Sequence, residues 1–206
     1  MKLGISWILF IADWVASLDG AVRYVPTPSV AVLPAIALGM LWLFLWKGKA
    51  RAVGLAPVAI ALGLWFSIER PAILIAESGD LVGILGPEGR ALSKPRGQGF
   101  VARSWLENDG DPVEQVDAHA RVPAQTDLWQ VSVLPAKTAK ELLPETCKAG
   151  SILVTSAEIS DQRHACDLYD ATRLKDLGPV AIYATEKGLK TVSTRQITGN
   201  RLWTSQ

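Results

Sequence analysis

Two uncharged apolar runs, Val30–Trp46 and Ala52–Ile68, are separated only by Lys47-Gly48-Lys49-Ala50-Arg51. At a rise of about 1.5 Å per residue, each run is just long enough to cross a hydrocarbon core of about 30 Å if flanking Trp and Ser residues sit among the headgroups. Few soluble folds can bury two such runs side by side, so the pattern predicts a transmembrane hairpin. Lys47, Lys49 and Arg51, three cations within five residues, are the type of loop that stays cytoplasmic. Both ends of the chain are then expected on the other side of the membrane.

Composition agrees with this division. Apolar residues make up 49% of the 206-residue chain and mean hydropathy is +0.21, but the excess lies in the first third. The expected organisation is a membrane region over 1–70 and an extracytoplasmic α/β domain over 71–206, long enough for one core of ordinary size. The net charge of +1 carries no basic surplus of the kind that marks nucleic-acid binders.

Ahead of the spans, residues 5–18 form a shorter apolar segment. Ser6, Asp13 and Ser17 fall on one helical stripe, which predicts an amphipathic helix lying in the interface rather than crossing it. The competing reading, a cleaved leader, is disfavoured by Asp13, by two Trp residues and by the lack of a small-x-small cleavage pattern. Tyr24-Val25-Pro26-Thr27-Pro28-Ser29 cannot continue a helix and reads as a stiff linker. Pro34 and Pro57 fall near the starts of their spans, where a missing donor is tolerated. Trp42, Trp46 and Trp65 lie near span ends. Gly39, Gly54 and Gly63 form no GxxxG pair within a span.

After Glu69-Arg70-Pro71 the pattern changes. Strands are expected over Ala72–Ala76, Leu81–Leu85 and Arg90–Ser93, joined by Ser78-Gly79-Asp80 and Gly86-Pro87-Glu88-Gly89. Phe100, Val101, Trp105 and Leu106 have helical spacing, giving a helix over Gly99–Asn108 that ends at Asp109-Gly110-Asp111-Pro112. Leu128–Leu134 reads as a strand and Ala139–Cys147 as a helix capped by Thr138. Ser151–Thr155 reads as a strand, and Val180–Ala184 with Leu189–Thr194 as a hairpin around Thr185-Glu186-Lys187-Gly188. Strands interleaved with helices point to an α/β layered domain.

Chemistry-bearing residues are sparse. Cys147 and Cys166, 19 positions apart, either pair as a disulfide, as an oxidising compartment favours, or stay as two independent thiols. His119 and His164 are the only histidines and fit no zinc-ligand spacing. No GxxxxGK[ST], GxSxG or SxxK motif occurs. Gly97-Gln98-Gly99 is too short to cradle a phosphate. Asp109 and Asp111 resemble half a calcium loop without the later ligands, and read as a turn. Arg96, Arg103 and Trp105 read as a solvated helix face with one buried indole. No catalytic, cofactor-binding or metal-binding residue is assigned.

The order of features is similar to a known family. It comprises the short Trp-containing helix, Gly20-Ala21-Val22-Arg23, the span ending Leu41-Trp42-Leu43-Phe44-Leu45-Trp46-Lys47 and a second span with Gly54-Leu55-Ala56-Pro57. Arg70-Pro71-Ala72-Ile73-Leu74-Ile75 and Gly79-Asp80 follow. Later come Cys147-Lys148-Ala149-Gly150-Ser151-Ile152-Leu153-Val154, Cys166, Leu168-Tyr169-Asp170, Thr191-Val192-Ser193 and Trp203. Together these resemble the C-terminal portion of the ComEC family, polytopic competence proteins for DNA uptake, in the form seen in alphaproteobacteria.

The resemblance implies a multi-pass protein of the bacterial inner membrane with a periplasmic C-terminal domain, acting in translocation of single-stranded DNA during natural transformation. The expected partners are the rest of the channel, other competence proteins and the lipid bilayer, with single-stranded DNA a further candidate. In many members the C-terminal domain looks like a metallo-β-lactamase fold, and Ile73–Lys94 is similar to its opening hairpins. The histidine- and aspartate-rich metal motif is absent here, so the expectation is a degenerate, non-catalytic copy without cofactors. Two spans and one short helix cannot enclose a pore, so the expectation is a partial gene product, or a split or truncated copy. The alternatives are a metal-dependent nuclease of the same system and an unrelated membrane-tethered interaction domain.

Overall fold

The computed structural model describes residues 2–18, 24–121, 130–159, 164–186 and 188–199. Parts of the expectations above lie outside these residues: Gly20–Arg23, the first two positions of the 128–134 strand, Lys187 of the last turn, and Trp203.

The chain opens with helix α1 (Lys2–Ala16), followed after the linker by α2 (Val32–Leu45). Both elements sit slightly inside or beside the expected bounds of 5–18 and 30–46. The segment expected as a plain cationic loop differs: Lys49–Gly54 winds as a 3-10 helix and runs directly into α3 (Leu55–Phe66). Gly48, at φ +76°, reverses the chain just before it. The tighter winding places Pro57 in the first turn of α3, where a missing N–H costs nothing. Among the described residues one helical stretch, Lys49–Phe66, is long and apolar enough to cross a membrane, while Gly4–Ala16 and Val32–Leu45 are shorter apolar helices.

α2 and α3 pack as an antiparallel hairpin around Gly39 and Gly54. A Cβ on Gly39 would stand 2.7 Å from the Gly54 carbonyl oxygen, and one on Gly54 equally close to the Gly39 carbonyl. The two backbones therefore touch, with Val32 and Ala61 fully buried along the same seam. No GxxxG pair lies within either span, but Gly39 and Gly54 are partners across the turn. Gly39→Leu is expected to part the helices. In detergent, this variant should lose the hairpin's melting transition while the α/β unit melts as in the parent chain.

From Ile73 the chain forms two sheets. β1 (Ile73–Ile75), β2 (Val82–Gly86) and β3 (Gly89–Leu92) make a meander. The chain continues through α4 (Gly99–Asn108), α5 (Gln115–Ala120), β4 (Val131–Leu134), α6 (Ala139–Thr146), β5 (Ile152–Thr155), β6 (Asp167–Tyr169) and α7 (Ala171–Leu177). The hairpin of β7 (Val180–Thr185) and β8 (Gly188–Ser193) and a last short helix, α8 (Thr194–Thr198), complete it. A five-stranded sheet runs β3-β2-β1-β7-β8, and a three-stranded sheet runs β4-β5-β6. Pairing is antiparallel throughout the first and parallel in the second, with Ile152 opposite Val131 and Asp167. The parallel sheet needs long crossovers, and α6 supplies the one between β4 and β5.

Strand alternation builds four layers. Ile73, Ile75, Val82, Val180 and Ile182 of the first sheet meet Ile152, Val154 and Tyr169 of the second in a shared core. The opposite face of the first sheet is covered by α4 and α5 through Leu92, Ala102, Leu106 and Ala118. The opposite face of the second is covered by α6 through Leu153, Leu168 and Ala139. This is the mixed α/β architecture expected for the later part of the chain. Of the apolar residues expected on one face of α4, Leu106 is buried and Val101 and Trp105 pack partly buried beside it with Ala102, whereas Phe100 is 87% exposed. Thr138 precedes α6 without a capping hydrogen bond. The helix is instead anchored by burial of Ala139 and by Cys147 at its end.

Candidate functional site

Three features could carry function: the cationic turn of the helical hairpin, the junction joining that hairpin to the α/β unit, and the disulfide on the outer face of the parallel sheet.

Lys47, Lys49 and Arg51 are all exposed at the tip of the hairpin. Beside them the indoles of Trp42 and Trp46 stack with centroids 4.0 Å apart, and Trp42 Nε1 donates to the Ala50 carbonyl at 3.1 Å. That bond fixes the 3-10 segment against α2. An indole with one wet edge next to lysines is the arrangement favoured at a membrane–water boundary.

The opposite end of the hairpin meets the linker. Trp65 Nε1 donates to the Pro26 carbonyl at 2.9 Å. One residue on, Thr27 N donates to the Asn108 carbonyl at 3.0 Å, and Thr27 Oγ1 donates to Asn108 Oδ1 at 2.8 Å. Gly110, at φ +76°, lies so close to the linker that a Cβ there would be 2.9 Å from Pro26 N. The linker is thus a strap between α3 and the end of α4, with backbone groups that Pro leaves unpaired now satisfied. Arg103 on α4 is exposed and is held above its ordinary pKa by its hydrogen bond and charge interaction with Glu107.

The strap rests on a buried ion pair that sequence reading missed. Arg90 of β3 is fully buried, and its Nε donates to Asp109 Oδ2 at 2.5 Å. Its other nitrogens donate to Asp109 Oδ1, the Gly83 carbonyl and the Pro71 carbonyl. Asp111 pairs with Arg121, and that hydrogen bond is the main reason the guanidinium is held above its usual value. Asp109 and Gly110 form the expected turn that ends α4, and the carboxylates of Asp109 and Asp111 are each committed to an arginine. The available signal was the charge of Arg90 within an otherwise apolar strand.

Cys147 at the end of α6 and Cys166 just before β6 are joined as a disulfide, with Cα atoms 5.1 Å apart. Cys166 N also donates to Cys147 Sγ at 3.2 Å. The bond staples the crossover helix to the far strand of its own sheet. Below it lies an open depression of about 480 Å³ lined by His164, Asp167, Asp170, Arg173 and Asp176 among others. Its carboxylates have structural work. Asp170 caps α7 by accepting from Arg173 N at 2.8 Å and accepts from Ile159 N at 3.2 Å, while Asp167 pairs with Arg173. His119 lies elsewhere, its Nδ1–H donating to the Leu92 carbonyl at 2.9 Å. Among the described residues, no three His, Cys, Asp or Glu side chains converge to hold a metal ion.

Among the described residues Tyr169 is a further perturbed group. Its ring lies in the shared core with Arg173 stacked 4.3 Å from the centroid, and its hydroxyl donates to Asp167 Oδ2 at 3.0 Å. Burial, above all, pushes its pKa up from the ordinary 10.0. The folded state thus holds the phenolic proton more tightly than the unfolded one. That contribution to stability is complete below the unfolded pKa and is lost as pH rises through the folded one. Ultraviolet titration should show a phenol ionising above the ordinary tyrosine range, and that late step should vanish in Tyr169→Phe. Stability of the parent chain should fall more steeply above pH 10 than that of the variant.

Searches against protein families, characterised proteins and solved structures match nothing to this chain.

Proposed function

We propose that the chain is the C-terminal, membrane-anchored part of a ComEC-like DNA-uptake protein in a bacterial inner membrane. In this reading α2 and the Lys49–Phe66 stretch cross the bilayer. Lys47, Lys49 and Arg51 face the cytoplasm, and the α/β unit stands in the periplasm against the rest of the channel. α1 lies in the interface: Ile5, Trp7, Phe10 and Trp14 are all exposed, as an in-plane helix presented to lipid requires. At about 21 Å, α2 is short for a span and draws on Val30, Ala31 and Trp46 to reach the headgroups.

The observation that carries the reading is the polarity of the hairpin. Its cations lie at one end, and the strap leading to a disulfide-bearing unit lies at the other. Positive loops stay in the cytoplasm and disulfides persist outside it, so two independent physical rules assign the same sides. The non-catalytic part of the proposal is supported by the carboxylates, since Asp80, Asp109, Asp111 and Asp167 all form ion pairs with lysine or arginine. We read the four-layer unit as a degenerate metallo-β-lactamase-like fold on the strength of its opening meander, β1 to β3 with the Gly79-Asp80 and Pro87-Glu88-Gly89 turns. Its role would be to buttress the channel and line the route of incoming single-stranded DNA.

The test is topological. A periplasm-active reporter fused after Gln206 should be active, and Cys147 and Cys166 should resist thiol labelling until a reductant is added. A silent reporter together with free thiols would refute the orientation. Divalent-ion-dependent DNA cleavage by the purified chain, abolished by EDTA, would refute the non-catalytic role.

A further inference from the structure

The tip of the helical hairpin contains a groove that neither the span assignment nor the α/β unit uses. It lies between α2 and the 3-10 segment, has a volume of about 450 Å³, and is lined by Leu38, Leu41, Trp42, Trp46, Val53 and Pro57 among others. The lining is almost wholly apolar: Trp42 and Trp46 stack on each other along the end of α2, and Gly54, in backbone contact with Gly39, forms part of the wall. The turn that carries Lys47, Lys49 and Arg51 follows directly on Trp46 of the lining and is tied to Trp42 through the Ala50 carbonyl; all three cations are exposed and make no ion pair with any described residue. An apolar slot beside a turn bearing three cations is complementary to a molecule with one hydrocarbon arm and one negative head.

We propose that this groove holds an acyl chain of an anionic phospholipid whose phosphate is bound by Lys47, Lys49 and Arg51. The inference rests on the membrane reading above and adds a lipid-specific site to it. Basic clusters between or beside spans on the cytoplasmic side are where anionic headgroups gain most. The Trp42–Ala50 hydrogen bond holds the cation-bearing turn over the groove, so head and chain can be engaged by one lipid. The tip would then be fixed at a set depth by a bound lipid as well as by bulk charge.

The full chain in detergent, offered equal amounts of phosphatidylglycerol and phosphatidylcholine, should retain phosphatidylglycerol selectively in native mass spectrometry. At roughly fivefold per cation, three cations give a preference on the order of a hundredfold. The K47Q/K49Q/R51Q variant changes only exposed side chains and should lose the preference. Val53→Trp fills the groove and leaves the cations in place, and should lose bound lipid altogether with helicity unchanged by circular dichroism. Equal retention of the two lipids by the parent chain would overturn the proposal. So would undiminished retention by Val53→Trp, or displacement of the lipid by glycerol 3-phosphate, which carries a head without a chain. Flotation with neutral phosphatidylcholine vesicles separates the two readings. A chain that floats but shows no anionic preference sinks only the lipid site, whereas a chain that does not float sinks the membrane reading itself.

Discussion

Replacing Asp109 by alanine is expected to cost about 3–5 kcal/mol, because it leaves the buried guanidinium of Arg90 without its counter-charge. Total stabilities of domains are about 5–15 kcal/mol, so this single change should leave the α/β unit marginal or unfolded at ordinary temperature. Arg90 is 0% exposed and Asp109 8% exposed, so solvent cannot take over the missing role. The location amplifies the loss. Asp109 stands between Asn108 and Gly110, the two residues that hold Thr27 and Pro26 of the strap, while Arg90 also binds the Pro71 carbonyl where the α/β unit begins. Thermal unfolding followed by circular dichroism should therefore show a large fall in midpoint, accompanied by a change in Trp65 fluorescence as its bond to Pro26 loosens. The paired change R90M/D109L removes both charges and should recover a substantial part of the loss, short of all of it because the Gly83 and Pro71 carbonyls lose a donor. If the double variant melts as low as D109A, lost volume rather than an orphaned charge explains the damage.

That ion pair also shows where sequence reading stops. Local signals were sufficient where punctuation was dense. The Gly99–Asn108 helix lies between Gln98 in a left-handed conformation and the Asp109-Gly110 reversal, and its bounds match the expectation. The β1–β3 meander and the β7–β8 hairpin were legible for the same reason, since their pairing is between neighbours along the chain. β6 has only three residues and pairs in parallel with β5 across an intervening loop. No period-2 pattern fits in so short a run, and its partner is invisible to local reasoning. α7 follows at once, with Asp170 as N-cap and Gly178 after its last residue, signals that were present but crowded by the strand before them. The partner of Arg90 is not legible from its strand, because only the tertiary fold brings the end of α4 over it. Gly39 and Gly54 went unpaired in the same way: their relation is across a turn that winds tighter than a loop would.

Reducing the Cys147–Cys166 bond is expected to destabilise the α/β unit by about 3 kcal/mol, the loop-closure entropy returned to the unfolded chain, for a sequence separation of 19. For a domain of this size that corresponds to a fall in melting temperature on the order of 10 °C. The damage should concentrate in the parallel sheet. The bond ties α6 to the start of β6, and Leu134, Leu153 and Leu168 pack in the cluster that contains it. Hydrogen exchange should quicken first in β5 and β6 and leave the β1–β3 meander, held by the Arg90–Asp109 pair, close to its oxidised rate. C147S/C166S should melt where the reduced parent does and be indifferent to reductant. A parent chain whose melting temperature ignores reductant, with both thiols shown free by mass, would mean that the unit folds equally well in a reducing compartment. The disulfide would then say nothing about sidedness, and the orientation of the hairpin would rest on Lys47, Lys49 and Arg51 alone.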